Sequence, residues 1–294
     1  MNLETSVEQP EVAPRDAASI IVLRQQSQGF EVLLMRRHGN SKVLGGAYVF
    51  PGGKVDPDDA QVGAAHLAQS PDALCTALAE DGGNAEQAVT LFSAAIRETL
   101  EECGVLFMAG ATAEAAQQVR ETLLAGTAWS AWVAAQEQPL QSAALVPWSR
   151  WITPKASLMM SKRFDTRFFV AALPSDQCAQ QDGHEATALE WWAPQEALAR
   201  YDRGEIDMAP PQIMTLLELS RFDDVAQVLA HGQSRQPPLI QPHHFAQDGV
   251  RVLAFPGDPT HEVSQAAWPG ATRIYHREGR FGDAQGSVLA MLQA

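Results

Sequence analysis

The sequence predicts an α+β fold, with a mixed central sheet covered by helices in one large domain that carries elaborations. Three observations support this. Two strand-like segments, Ala18–Arg24 and Phe30–Arg37, stand side by side near the start of the chain, separated by the polar turn QQSQG. Further on, segments with helical periodicity alternate with strand-like ones, the pattern of a sheet layered against helices. The 294 residues are 46% hydrophobic, enough to bury a sizeable core.

Taken in order, ASIIVLR is apolar through its middle, as a strand buried on both faces requires. FEVLLMRR is the second strand. GGAYVFPGGKVDPDD then carries four glycines and two prolines, a loop that must turn tightly and approach something closely. From Ala60 to about Ser93 the chain is rich in Ala, Gln and Asp, with PDALCTALAE a helix and DGGN a break. Residues 88–103 form the next helix. Ala88, Phe92, Ile96, Thr99 and Cys103 are its buried stripe, and its glutamates fall off that stripe. TAEAAQQVRETLLAG and AWSAWVAAQE read as two more helices, and LVPWSRWITP leads to TRFFVAA, which has strand composition. ALEWWAP is a short strand before the helix PQEALARYDRG, with Pro194 near its first turn. PPQIMTLLELSRF and FDDVAQVLAHG are helical, and the tail holds two strands, DGVRVLAFPGD and ATRIYHREGRF, across a Pro/Gly-rich connection. The expected organisation is a disordered N-terminus (1–16), a domain over 17–222 with an insertion at 60–93, and a C-terminal extension (223–294) packed on the same domain.

The balance of 21 basic to 35 acidic residues gives a net charge of −14, which argues against a broad nucleic-acid or membrane-surface partner. A local basic pocket for a small anion is still compatible with it. Cys75, Cys103 and Cys178 show no paired spacing and read as reduced thiols of a cytosolic-type compartment. The start MNLETSVEQPEVAPRD lacks a signal-peptide pattern, and no apolar run approaches the roughly 20 residues that span a bilayer. The expectation is a cytoplasmic protein. QPHHF has no metal-site spacing, and Ser157, Ser161 and Ser264 have no nucleophile context.

The stretch AAIRETLEECGV is the chemical lead. Glu98, Glu101 and Glu102 stand at i, i+3 and i+4 on one helix face, where like charges cost roughly 0.2–0.5 kcal/mol per pair. Gly104 reads as the helix stop, so the acids also oppose the helix dipole, at roughly 0.3–1 kcal/mol each if exposed. A bound cation would remove the cost, and magnesium is held by a few carboxylates together with substrate phosphates.

Gly52–Gly53 followed by REtlEEcG from Arg97 to Gly104 resembles the Nudix box, the signature of hydrolases that cleave nucleoside diphosphates linked to another group. In the family, the Gly and an acid are separated by five residues; the acid is usually Glu and is here Asp59, counted from Gly53, and then 37 residues, where the family has seven, precede Arg97. A split box of this kind resembles the coenzyme A diphosphatase branch. Leu33–Gly53 resembles that branch's upstream motif: Arg37, Gly46 and Phe50-Pro51-Gly52-Gly53 hold their places, while Met35, His38 and Lys42 depart from it, Lys42 keeping the charge.

The resemblance implies a Nudix-type α/β/α sandwich with a helical insertion and a C-terminal helical and strand extension. It implies Mg2+ or Mn2+ on Glu98, Glu101, Glu102 and the Gly52 carbonyl, with Arg97 orienting a carboxylate and either Glu101 or Glu102 acting on a metal-bound water. Glu185 is the candidate for an additional acid, ahead of Glu190; His184 beside it is a poor ligand for a hard ion. Arg37 and Lys42 are the motif-borne substrate cations, and Arg163 and Arg167 are further candidates. One of Trp191 and Trp192 could stack on adenine. The expected activity is metal-dependent hydrolysis of coenzyme A or acyl-coenzyme A, with a Nudix pyrophosphatase for NADH or ADP-ribose, or a silent nucleotide sensor, as alternatives. The insert and the extra C-terminal segment offer surface for a partner, and a homodimer is compatible with the sequence.

Overall fold

A computed structural model describes residues 13–39, 44–154, 163–181 and 186–293. In chain order the elements are β1 (Arg15–Gln25), β2 (Phe30–Arg37), β3 (Tyr48–Val49), β4 (Gly52–Lys54), α1 (Pro71–Leu78), α2 (Ala85–Cys103), α3 (Ala113–Leu124), α4 (Trp129–Ala134), β5 (Val146–Ile152), β6 (Phe164–Ala172) and β7 (Ala186–Trp192). Three helices follow, α5 (Pro194–Asp202), α6 (Pro210–Leu219) and α7 (Val225–Gln233), and then β8 (Leu239–Ile240), β9 (His243–Gln247), β10 (Val250–Ala254), β11 (Arg273–Arg277) and β12 (Arg280–Gly282).

The first hairpin positions the site. β1 and β2 pair only near their turn, from Gln25↔Phe30 to Leu23↔Val32, and then splay apart. The segment 48–54 fills the gap: β3 pairs with β2, and β4 pairs with β1 through Ala18↔Gly53 and Ser19↔Gly52. The other side of β1 carries β6 in parallel register, followed by β5 antiparallel and β8 parallel, while β7 adds to β2. The sheet is therefore mixed. β5 is more than the expected connection: its Pro147 sits at a register shift opposite β6, the place where a strand tolerates a proline.

Residues on one face of the sheet (Ile20, Val22, Leu33, Met35, Phe169) pack under α1, α2 and α4. Those on the other face (Ile21, Leu23, Leu34, Phe168) pack under α5, α6 and α7. α2 begins at Ala85 because the Asn84 side chain accepts from the N–H groups of Glu86 and Gln87, and it ends at Gly104 with φ +66°. The predicted stripe, from Ala88 through Phe92, Ile96 and Thr99 to Cys103, is buried. Val62, Leu67, Leu74 and Leu78 of the inserted stretch belong to the same core as α2.

The tail forms a second antiparallel sheet of four strands, β9 to β12, where two were expected. Both hairpins turn at consecutive left-handed residues, Asp248-Gly249 and Glu278-Gly279, the geometry that matches strand twist in a two-residue turn. Phe255, Trp268, Ile274 and Val288 of this region share the core that contains Ile21 and Phe168. Among the described residues no helix is long and apolar enough to cross a membrane.

Candidate active site

The site lies where α2 crosses β4, and glycine makes the approach possible. Gly52 has φ +148°, and a Cβ there would collide with the backbone of Ala18 and Ser19 in β1. At Gly53 a Cβ would overlap the Glu98 carboxylate. Ser19 Oγ and the Ile20 N–H both donate to the Pro51 carbonyl, at 2.7 and 2.9 Å, fixing the turn that precedes the glycines. The Gly52 N–H donates to Glu102 Oε2 at 2.6 Å. This contact buries Glu102, at 3% exposure, against the expectation that all three glutamates fall off the buried face.

Arg97 organises the acids. Its Nε and Nη2 donate to the two oxygens of Asp59, each at 2.8 Å, and Nη2 also reaches the Lys54 carbonyl. Glu98 Oε1 and Glu101 Oε2 stand 3.0 Å from Nη2 and Nη1. Asp59, fully buried on a short 3-10 turn (Asp59–Gln61), therefore takes the place of the box's first acid despite the shorter side chain and the long gap before Arg97. Burial works against the Arg97 charge, but the Asp59 hydrogen bonds and the charges of Glu98, Asp59 and Glu101 outweigh it and raise its pKa. Glu98 is pushed up to about 7, chiefly by burial; Arg97 opposes this shift, and Glu101 adds to it.

As the side chains stand, no group of three or more His, Cys, Asp or Glu residues forms an assembled metal cage among the described residues. Glu98 and Glu101 rest on Arg97, and Glu102 on the Gly52 N–H. The donor chemistry nevertheless fits a hard divalent ion. Three carboxylates (Asp59, Glu98 and Glu101) gather around the Arg97 guanidinium and a fourth, Glu102, stands on the Gly52 N–H of the adjoining glycine turn, all of them oxygen donors, and burial leaves Glu98 poorly compensated.

The other predicted residues divide. Arg37 ends β2 half-buried, and its Nε is buried with no hydrogen-bond partner among the described residues. Lys42, Glu185 and His184 lie outside the described residues. Arg163 donates to the Thr153 carbonyl at the end of β5. Arg167 is not available for phosphate: its guanidinium holds Glu80 at 2.7 and 2.8 Å, and also Asp16 and Asp165. Asp16 in turn accepts from Gln87, about 16 Å along the α2 axis from Glu98, so this network belongs to the other end of the helix. Glu190 lies on the sheet face away from α2, near Tyr48. Trp191 and Trp192 are already covered by the guanidinium groups of Arg24, at 4.4 Å, and Arg200, at 4.9 Å. Asp58 and Ser130, bound to each other beside Asp59, carry no signal of their own in the sequence.

The chain matches the family model described as the NUDT19 Nudix domain over residues 7–222. It is 28% identical over 285 residues to the acyl-coenzyme A diphosphatase NUDT19 of Xenopus laevis, covering 80% of this chain and 72% of that protein. The human protein of the same name is 25% identical over 276 residues, covering 79% and 72%. Among solved structures, a Nudix hydrolase from Alicyclobacillus acidocaldarius superposes with a TM-score of 0.59 at 26% identity, covering 77% of this chain and 98% of that one. Proteins of this family act with divalent metal ions on small nucleotide-like substrates. The match spans most of the chain and contains both the glycine turn and the Arg-Glu helix that meet in the fold, and the chain belongs to the Nudix hydrolases, in the NUDT19 group.

Proposed function

We propose that the chain hydrolyses the pyrophosphate bond of coenzyme A or acyl-coenzyme A, giving 3′,5′-ADP and 4′-phosphopantetheine or its acyl form. The observation that carries this reading is a pair of features on one strand-loop-helix unit. The Arg97-held carboxylates stand beside Gly52–Gly53, and Arg37 brings a buried Nε, without a hydrogen-bond partner among the described residues, at the position where the coenzyme A motif has its arginine. The names of the relatives point to the same substrate.

Bound Mg2+ or Mn2+ would neutralise the two phosphates and supply an activated water. Glu98, Glu101, Glu102 and the Gly52 carbonyl are the residues that would hold the ion. Arg97, fixed by Asp59, orients Glu98 and Glu101. In this reading Glu101, the more exposed acid on that fork, takes a proton from the attacking water, with Glu102 as the alternative. The water oxygen bonds to one phosphorus, the bridging P–O bond breaks, and the leaving phosphate keeps the electron pair. Arg37 donates to a substrate phosphate, with Lys42 as a second cation and Glu185 as an additional acid in this reading. The hydrolytic unit is residues 17–222, with 223–294 packed on it, in the cytoplasm.

Mass-spectrometric product analysis with coenzyme A, NADH and ADP-ribose, each with magnesium, manganese or chelator, tests this beside Glu101→Gln. Metal-dependent release of 3′,5′-ADP, lost in the variant, is expected. Cleavage of NADH or ADP-ribose alone would keep the hydrolytic site and overturn the coenzyme A assignment.

A further inference from the structure

Three sequence-distant pairs of residues close a ring around Arg97. On α2, Ser93 and Arg97 stand one turn apart on the same face. On α4, the neighbours Trp129 and Ser130 bind in two directions. Trp129 Nε1–H donates to Ser93 Oγ at 2.9 Å in a buried contact, and Ser130 donates to Asp58 through its hydroxyl at 2.5 Å and its N–H at 2.9 Å. Asp58 adjoins Asp59, whose carboxylate grips Arg97. The circuit runs from Ser93 to Trp129, Ser130, Asp58, Asp59, Arg97 and back along α2.

Two features show that this is more than incidental packing. The residue before α4, Ala128, offers no side-chain cap, so Asp58 serves as the helix's cap from a loop 72 residues away in sequence. Asp59 also accepts from the Asp56 N–H, and Asp56 accepts from the Asp58 N–H, so a displacement of Asp58 is passed directly to Asp59. Arg97 shares its guanidinium among Asp59, Glu98 and Glu101, and its place decides where the latter two carboxylates point.

We infer that Asp58 and Ser130 are positioning residues of the hydrolytic site: through the ring that α4 closes, they hold Arg97 and thereby set Glu98 and Glu101 for the metal ion. This rests on the metal-dependent reading above only where it concerns the ion. The ring's hold on Arg97 is independent of it.

The test uses the full chain, with Asp58→Ala, Asp58→Asn (which keeps one acceptor for the Ser130 N–H), and Thr112→Ala as a control that removes an ordinary cap, that of α3, outside the ring. The first readout is solvent exchange of the Arg97 Nε–H, followed by 15N–1H NMR in chelator. Exchange should accelerate roughly tenfold in Asp58→Ala, less in Asp58→Asn, and not in Thr112→Ala, since the first variant removes the charged partner of Ser130 and so loosens Asp59, the acceptor of the Arg97 Nε–H. Unchanged exchange in Asp58→Ala would overturn the inference. The second readout is direct Mn2+ binding followed by electron paramagnetic resonance, with Glu101→Gln identifying the site. The dissociation constant should rise several-fold in Asp58→Ala while Thr112→Ala, at a comparable loss of Tm, leaves it within about twofold. A weakened Tm with unchanged Mn2+ affinity would make the ring merely structural and refute the positioning role. Insensitivity of wild-type Mn2+ binding to Glu101→Gln would instead sink the metal reading, leaving the exchange measurement to decide the ring.

Discussion

Replacing Arg97 should destabilise the protein more than replacing the acid it holds, and the asymmetry follows from burial. Asp59 is fully buried, and among the described residues its only side-chain cation is Arg97, with both oxygens engaged at 2.8 Å. Arg97→Met strands that carboxylate away from water, at a cost of about 3–5 kcal/mol. Asp59→Leu leaves Arg97 with Glu98 and Glu101 at 3.0 Å and the Lys54 carbonyl at 3.1 Å. Its cost should be near that of a charged hydrogen bond, about 1.5–3 kcal/mol. The double variant strands neither charge, so it should be more stable than the sum of the two predicts, by about 0.5–3 kcal/mol. Urea titrations of the four proteins at pH 7 in chelator, with m-values compared, measure all three quantities. An Arg97→Met cost below about 1 kcal/mol, the range of exposed pairs, would refute the reasoning, as would an additive cycle.

Other perturbations test neighbouring parts of the site. Gly53→Ala forces the Glu98 carboxylate to move and should lower kcat by roughly a hundredfold with the fold retained by circular dichroism, because small displacements of reacting groups are costly. Arg37→Ala should raise KM for coenzyme A by roughly tenfold, the loss of one charge-assisted hydrogen bond, and steady-state kinetics against ADP-ribose should show a smaller change if the motif reads coenzyme A. Glu98, raised from 4.5 to about 7 in the folded metal-free protein, favours the fold when protonated; that contribution is complete below pH 4.5 and is lost as pH rises through about 7. Urea midpoints in chelator should therefore fall between pH 5 and 8 in the wild type, and Glu98→Gln should flatten that fall.

Much of this was legible from local pattern. The α2 stripe follows from 3.6-residue periodicity, and both its stop and the glycine turn rest on backbone conformations that glycine supplies. What the sequence could not show is which distant partner neutralises each charge. Arg167 looks like a phosphate ligand because its partners Glu80 and Asp16 are 87 and 151 residues away. Glu102 looks exposed because the group that buries it is the Gly52 N–H, 50 residues earlier. β5 was obscured by Pro147, whose register shift makes the strand possible. The two tail hairpins turn on Asp248 and Glu278 at positive φ, and only the following glycines hint at them.

The long insert inside the box follows from the same geometry. The two halves meet through Asp59–Arg97 and Gly52–Glu102, contacts that need the right ends of two elements and not a particular length of chain between them. The inserted stretch enters α2 at Ala85, about 20 Å along the helix axis from Glu98, so added residues before it do not crowd the carboxylates. Lengthening the connection from seven to 37 residues raises the closure cost by only roughly 1.5 kcal/mol. That is the scale of burying one aliphatic side chain, and the insert buries Leu74 and Leu78 against α2. Glu80 then ties its far end to Arg150 and Arg167 of the sheet. The interruption that would defeat a search for a contiguous box thus leaves the geometry of the box intact, because the spacing of its residues is set by the sheet and one helix and not by the loop between them.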